Sequence, residues 1–208
     1  MPELPEVETV RRGLAPLVTG RRVVDAGGHP SPKFRAAVDA VGATVVGVDR
    51  RGKYLVLPLD DGRRLIIHLG MTGQLRVGPP PGAADPYDRA WCHLCDGARL
   101  ALRDVRRFGR VAVIGSDASA LPTLAAIGPE PFDPAFTPEV LWANLRRRSV
   151  RVKTNLLSQR PVAGVGNIYA DEALFRARVH PLRPANRLTR TQCAALRDAI
   201  VESLMAGL

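Results

Sequence analysis

The strongest constraint on this chain is a change of periodicity partway along it. Up to about residue 115, short apolar runs alternate with Gly, Asp and Pro: RRVVDAGG, ATVVGVD, KYLVLPLDDG, RLIIHLG, GQLRVG, a pair around Cys95, then GRVAVIG. Strand-length runs with turn residues between them predict a mostly antiparallel β-sandwich or barrel. One helix precedes them, because PEVETVRRGLAPLV has an acidic turn after Pro5 and apolar residues at Val7, Val10 and Leu14. After the Pro-rich stretch GPEPFDPAFTPEV the spacing becomes helical. PEVLWANLRRR, with Thr137 as N-cap and Pro138 in the first turn, begins a run that continues through VKTNLLSQ, the turn GVGN, IYADEALFRA and TRTQCAALRDAIVESLMAG. The fold class expected is therefore α+β and multidomain. Residues 1–120 form a β-sandwich or barrel unit, 121–136 a linker and 137–208 an all-helical unit.

Charge narrows the partners. Thirty Lys and Arg face twenty Asp and Glu, a formal charge of +10. Such a surface gains affinity for polyanions by releasing condensed counterions, although an Arg-loaded genome produces the same excess. Only Lys33, Lys53 and Lys153 are lysines. Where Arg replaces Lys nearly everywhere, a retained Lys points to a need for an ammonium that can exchange its proton. Two helices joined by a Gly-rich turn with basic residues nearby suit phosphate binding by backbone amides.

Other classes are disfavoured. No run approaches the roughly 18 apolar residues of a membrane span, and the acidic start MPELPEVETV is unlike a secretory leader, so no membrane partner and a cytoplasmic, nucleoid-associated protein are expected. Three cysteines do not make a disulfide framework. Cys92 and Cys95 form a C-x-x-C without a second ligand pair nearby, so no metal site is expected there.

The motifs MPELPEVETVRRGL, RGKYLVL, HLGMTGQLR, RDVRRFGR, GPEP and VAGVGNIYADEALF followed by HP stand in an order and at spacings that resemble the bacterial formamidopyrimidine-DNA glycosylases and their endonuclease VIII relatives. The resemblance runs through nearly the whole chain. It implies a helix-two-turn-helix motif in the second half and base-excision repair of double-stranded DNA carrying damaged bases or abasic sites, by a monomer. The start PELPEVE favours the branch acting on oxidised purines.

The implied chemistry is an amine's. After loss of Met1, Pro2 would present a terminal secondary amine, and an α-amino group ionises far below a lysine, leaving a useful unprotonated fraction at neutral pH. It would displace the base and hold the opened sugar as a Schiff base, followed by β,δ-elimination. The resemblance makes Glu3 the acid at the sugar ring oxygen, with Glu6 supporting it; Glu6 equally suits a helix first turn. Lys53 corresponds to a lysine that contacts a phosphate beside the lesion and assists elimination. His68 reads either as a satisfied core histidine or, by the resemblance, as a phosphate ligand together with Arg106 and Asn167. Met71, Arg106 and Phe108 correspond to the set that fills the void left by a flipped nucleotide. Lys153 is carried over as a further contact near the lesion, and Glu172 as a residue holding the N-terminal region in place.

Family members continue into a lesion-covering loop and a zinc finger with four cysteines, and this chain ends before them. No cofactor is expected in the 208 residues, and one zinc only where such a finger is present. The rival expectation is a catalytically weak damaged-DNA-binding module; an RNA-binding reading leaves the N-terminal Pro-Glu unexplained. Position 105 is Val where many members have Pro.

Overall fold

The computed structural model describes residues 1–80, 85–115 and 117–208. The chain divides into two compact units: one holds Met1–Pro2 and Val7–Pro122, the other Glu3–Glu6 and Thr123–Leu208. The sequence reading assigned residues 1–120 to one unit, but four N-terminal residues group with the helical part.

Helix α1 (Leu4–Val18) opens the chain. Pro5 near its start costs nothing, because the first N–H groups of a helix have no intrahelical partner. Val7, Leu14 and Val18, on one stripe, are buried in the core of the first unit. That core lies within a sandwich of two four-stranded antiparallel sheets. The strands are β1 (Val23–Gly28), β2 (Asp49–Arg51), β3 (Tyr54–Pro58), β4 (Arg64–His68), β5 (Gln74–Gly78), β6 (Asp88–Leu94), β7 (Arg99–Arg103) and β8 (Arg110–Ile114). One sheet has the order β1-β6-β7-β5, the other β2-β3-β4-β8. The sheets remain open, so the sandwich half of the expectation holds and the barrel half does not.

One expected strand is largely missing. ATVVGVD makes only the bridges Arg22↔Thr44 and Val45↔Leu59 before β2 begins at Asp49. Val45 exchanges hydrogen bonds with the chain before β1, with Gly20 N–H to its carbonyl at 2.8 Å and its own N–H to Arg21 O at 3.0 Å, whereas Val46 N–H donates to Pro58 O at 2.8 Å. The segment crosses from one partner to the other, so no continuous ladder can form along it.

The expected linker carries its own structure. It contains the short helix α2 (Pro122–Ala125), and Phe136 is fully buried in the second core. That core is built from α3 (Pro138–Arg146), α4 (Val152–Leu157), α5 (Asn167–Arg176) and α6 (Arg190–Ala206), with Leu4 of α1 packed into it. The Thr137 hydroxyl accepts from Val140 N–H at 3.4 Å, which caps α3 as read from the sequence. Helix α6 starts with a reciprocal capping box: Thr189 Oγ1 accepts from Gln192 N–H at 3.2 Å and Gln192 Oε1 from Thr189 N–H at 3.1 Å.

Thr189→Ala is expected to lower stability by about 1 kcal/mol in urea unfolding, and Thr189→Asp to restore most of it. Leu141→Ala, emptying a fully buried position, should cost about 2–5 kcal/mol in the same measurement.

Candidate nucleic-acid active site

In the helical unit, Glu3 is only 2% exposed, a burial that a carboxylate tolerates only when it is well bonded. Its Oε2 accepts from Gly166 N–H at 2.6 Å and Tyr169 N–H at 3.3 Å, and its Oε1 from Ile168 N–H at 2.8 Å. These are donors at the start of α5, where helix geometry leaves N–H groups unpartnered and the dipole favours a negative charge. Glu3 thus caps a helix more than 160 residues away in sequence. An ionised carboxylate offers about four lone-pair directions. Three are used, and the remaining one lies on Oε1.

Local devices hold this arrangement. Gly166 is required because a Cβ there would collide with the Glu3 carboxyl group. Gly164, at φ +84°, accepts Leu4 N–H on its carbonyl at 3.0 Å, with the Leu4 side chain packed against its Cα. The Gln159 amide spans the α4–α5 loop: its Oε1 accepts from Gly164 N–H at 2.7 Å and its Nε2 donates to Val165 O. Gly128 N–H donates to Gln159 O at 2.8 Å and Ala163 N–H to Pro129 O at 2.9 Å, so the GPEP segment braces the same loop. Glu6 accepts Glu3 N–H at 2.8 Å and the Tyr169 hydroxyl at 3.4 Å. Burial first, and then the neighbouring Glu6 charge, pushes the Tyr169 phenol above its ordinary value. Asn167 stands exposed at the first position of α5. Lys153 on α4 pairs with Asp171 at 2.8 Å. The sequence reading gave Glu172 the task of holding the N-terminal region. Glu172 is instead exposed and has no hydrogen-bond or ion-pair partner among the described residues. The backbone at the start of α5 and the Tyr169 hydroxyl perform that task, and Glu172 lies a turn further along the helix.

In the sandwich unit, Lys53 lies in the two-residue turn joining β2 to β3, after Gly52 at φ +57°. A hairpin turn that needs positive φ at its first position selects Gly there. Lys53 is only 4% exposed, buried for a lysine at a hairpin turn. His68 sits across the ladder from Tyr54 and Arg110, its ring 4.6 Å from the tyrosine ring. Burial, then the positive charges of Lys53 and Arg110, lowers its pKa from 6.5 to about 4. Its Nδ1 accepts from Gly70 N–H at 3.1 Å, which assigns the proton of the neutral ring to Nε2. At neutral pH, His68 is thus an uncharged donor beside a lysine.

Met71, Arg106 and Phe108 stand exposed on two adjoining loops. Arg106 lies over the Phe108 ring at 4.7 Å. The loops meet backbone to backbone at Gly70, φ +65°, where a Cβ would strike the Phe108–Gly109 peptide. Asp104, completely buried, fastens both: it accepts the Thr72 hydroxyl at 2.6 Å and Gly109 N–H at 2.7 Å. Arg89 Nε donates to Asp104 O at 2.7 Å and Lys33 Nζ to Arg107 O at 3.3 Å, with Arg107 itself at φ +57°. Sequence reasoning missed Asp104, Thr72 and Gln159. The D in RDVRRFGR was the available signal, since a lone acid among arginines in a basic loop invites a structural role.

Cys92 is buried, its thiol pushed up to about 12 by burial, while Cys95 lies exposed at the β6–β7 turn. The described residues contain no group of three or more His, Cys, Asp or Glu that could hold a metal ion. No helix among them is long and apolar enough to cross a membrane.

Residues 1–111 match the family model for the formamidopyrimidine-DNA glycosylase N-terminal domain, and residues 127–208 that for the H2TH domain of the same enzymes. The formamidopyrimidine-DNA glycosylase of Geobacter sulfurreducens is 48% identical across 98% of this chain, which spans 77% of that protein. The crystal structure of the MutM (Fpg) protein from Thermus thermophilus superposes with a TM-score of 0.89 at 43% identity, covering 99% of this chain and 75% of that one. The Lactococcus lactis enzyme bound non-covalently to DNA containing an AP site gives 0.87 at 34% identity, covering 99% and 81%.

The depressed His68 pKa carries a testable sign. Between about pH 6.5 and 4 the unfolded chain binds the proton that the folded one refuses, so stability is full above pH 6.5 and falls as pH drops through that window. We expect a loss of about 2 kcal/mol, discounted for the ring's partial exposure, on going from pH 7.5 to pH 4. Urea unfolding of His68→Gln should lack that increment; an identical pH dependence would show that His68 does not carry it.

Proposed function

The chain belongs to the formamidopyrimidine-DNA glycosylase family, and on that premise we propose that it excises oxidised purines, formamidopyrimidines or 8-oxoguanine, from duplex DNA and cleaves the abasic site. The observation that carries this reading is the Glu3 carboxylate, buried next in sequence to Pro2 and held by three N–H groups of α5 with one oxygen direction unused. An acid fixed so tightly beside a residue that can become a terminal amine suits an attack needing both.

With Met1 removed, the Pro2 nitrogen attacks the anomeric carbon, the base departs with the glycosidic electron pair, and the proton that the attacking amine loses passes to the Glu3 carboxylate. Glu3 delivers a proton to the ring oxygen as the ring opens, and the nitrogen lone pair closes to an iminium. Loss of the sugar proton next to the imine carbon expels the 3′ phosphate. A second elimination expels the 5′ phosphate, and water returns the amine. Lys53 provides the cation that steadies a phosphate beside the lesion. The Nε2–H of His68, with Arg106 and Asn167, supplies backbone donors that carry no sequence information. Met71, Phe108 and Arg106 fill the void behind the extruded nucleotide, a role that suits side chains exposed on clamped loops because their position costs no ordering on binding. Glu6 and Tyr169 keep Glu3 in place, and Lys153 adds a contact near the lesion.

Borohydride trapping on duplex DNA with an abasic site should yield a covalent adduct that maps to Pro2 and is lost in protein that keeps Met1, where the Pro2 nitrogen is an amide. An adduct at Lys53 would overturn the assignment. Glu3→Gln should lose base excision by at least about 100-fold, the scale of general acid catalysis, while abasic-DNA affinity stays within a few-fold. A stability loss of about 1–3 kcal/mol should accompany it, because the amide replaces one acceptor with a donor facing a backbone N–H. Equal losses of affinity and excision would make Glu3 purely structural.

A further inference from the structure

Most arginines whose partners are described sit beside a carboxylate. Glu8 alone takes Arg11, Arg12 and Arg50, and Asp85 takes Arg76 and Arg103. One group in the helical unit departs from this. Arg146, Arg147, Arg148, Arg151, Arg187 and Arg190 are all exposed, and none forms an ion pair among the described residues.

Tertiary structure gathers them. Arg146 and Arg190 bracket the Trp142 ring, at 4.7 and 4.3 Å, which ties the end of α3 to the start of α6. Val152 N–H donates to Arg183 O at 2.8 Å and Ala185 N–H to Val150 O at 2.9 Å, which brings the segment carrying Arg148 and Arg151 against the one leading to Arg187. The Arg183 guanidinium donates to Arg187 O at 3.2 Å. Glu139, in the first turn of α3, is held below the usual carboxylate range by its own N–H and the Thr137 hydroxyl, with Arg190 a smaller cause. It does not pair with the cluster.

The cluster is remote from Glu3. Gly207, just past the end of α6, lies against Tyr169 and Pro5, so the far end of α6 marks the Glu3 site. Arg190 begins that 17-residue helix, roughly 25 Å away at 1.5 Å per residue. A concentration of unpaired like charges costs self-repulsion that a neutralising partner removes. Guanidiniums suit phosphate oxygens because their N–H groups fork, and contact with the Trp142 ring restrains two of them in advance.

We infer that this arginine surface is a second phosphate-binding face for duplex DNA, engaging a stretch of backbone outside the one at Glu3. The inference rests on the reading of DNA as the partner, but not on catalysis. The test is equilibrium binding of an undamaged duplex over a range of salt, comparing the unaltered chain with a variant combining Arg146→Gln, Arg148→Gln, Arg187→Gln and Arg190→Gln. The log–log salt slope should fall by about 2 or more, since each neutralised phosphate adds about 0.9. With Trp91→Phe, Trp142 remains as the sole tryptophan; its emission should change on adding the duplex and revert at high salt. Borohydride trapping at saturating abasic DNA should persist in the quadruple variant. An unchanged slope with silent Trp142 emission would falsify the inference whatever trapping shows, as would a loss confined to anionic phosphatidylserine vesicles. Failure of trapping in the unaltered chain would instead strike the catalytic reading and leave the slope comparison intact.

Discussion

The carboxylate of Glu3 on the first turn of α5 is the interaction around which the candidate chemistry is organised. Burying a charge is unfavourable unless hydrogen bonds replace its water, and here three backbone donors do so. The same contact satisfies helix donors that would otherwise be orphaned. Several glycines and Gln159 become intelligible through it: Gly166 leaves room for the carboxyl group, Gly164 for Leu4, and Gln159 fixes the loop that presents them. Removing the charge would disturb both the helix start and the residue that follows Pro2, so stability and chemistry are coupled at this position.

The sandwich unit solves a parallel problem with different parts. Exposed Met71, Arg106 and Phe108 must hold their positions without a core around them. Asp104 does this from below, accepting from Thr72 on one loop and Gly109 on the other. Cation and ring then hold each other at Arg106 and Phe108. His68 shows how burial sets charge: loss of hydration first, and then the positive charges of Lys53 and Arg110, keep the imidazole neutral.

Legibility in the sequence followed the range of the interaction. The capped start of α3, the strand pair β6 and β7 around Cys95, and the β3, β4 and β8 runs were readable because turns, caps and alternation act over a few residues. The segment 43–49 was misread as a strand because its composition suits one while its backbone is shared between two partners. Lys53 and His68 were found through motifs, yet nothing in RGKY or HLG states that the lysine is buried or that the histidine is kept uncharged. Glu172 was carried over from the family resemblance as a residue holding the N-terminal region, and its exposure gives it no such contact.

By itself the sequence determined the two-part architecture and the basic charge, because composition and short-range spacing encode these directly, while the candidate amine, acid and phosphate ligands came from the family resemblance that its motifs carry. Tertiary structure alone decided that Glu3 caps α5, that Asp104 joins two loops, that Glu3–Glu6 group with the helical unit, and that the arginines of residues 146–151 meet those of residues 187–190 with no ion pair among the described residues. The reason is physical. Backbone N–H groups are the same at every residue, and which of them meets a carboxylate depends on chain paths that only packing of the whole core selects.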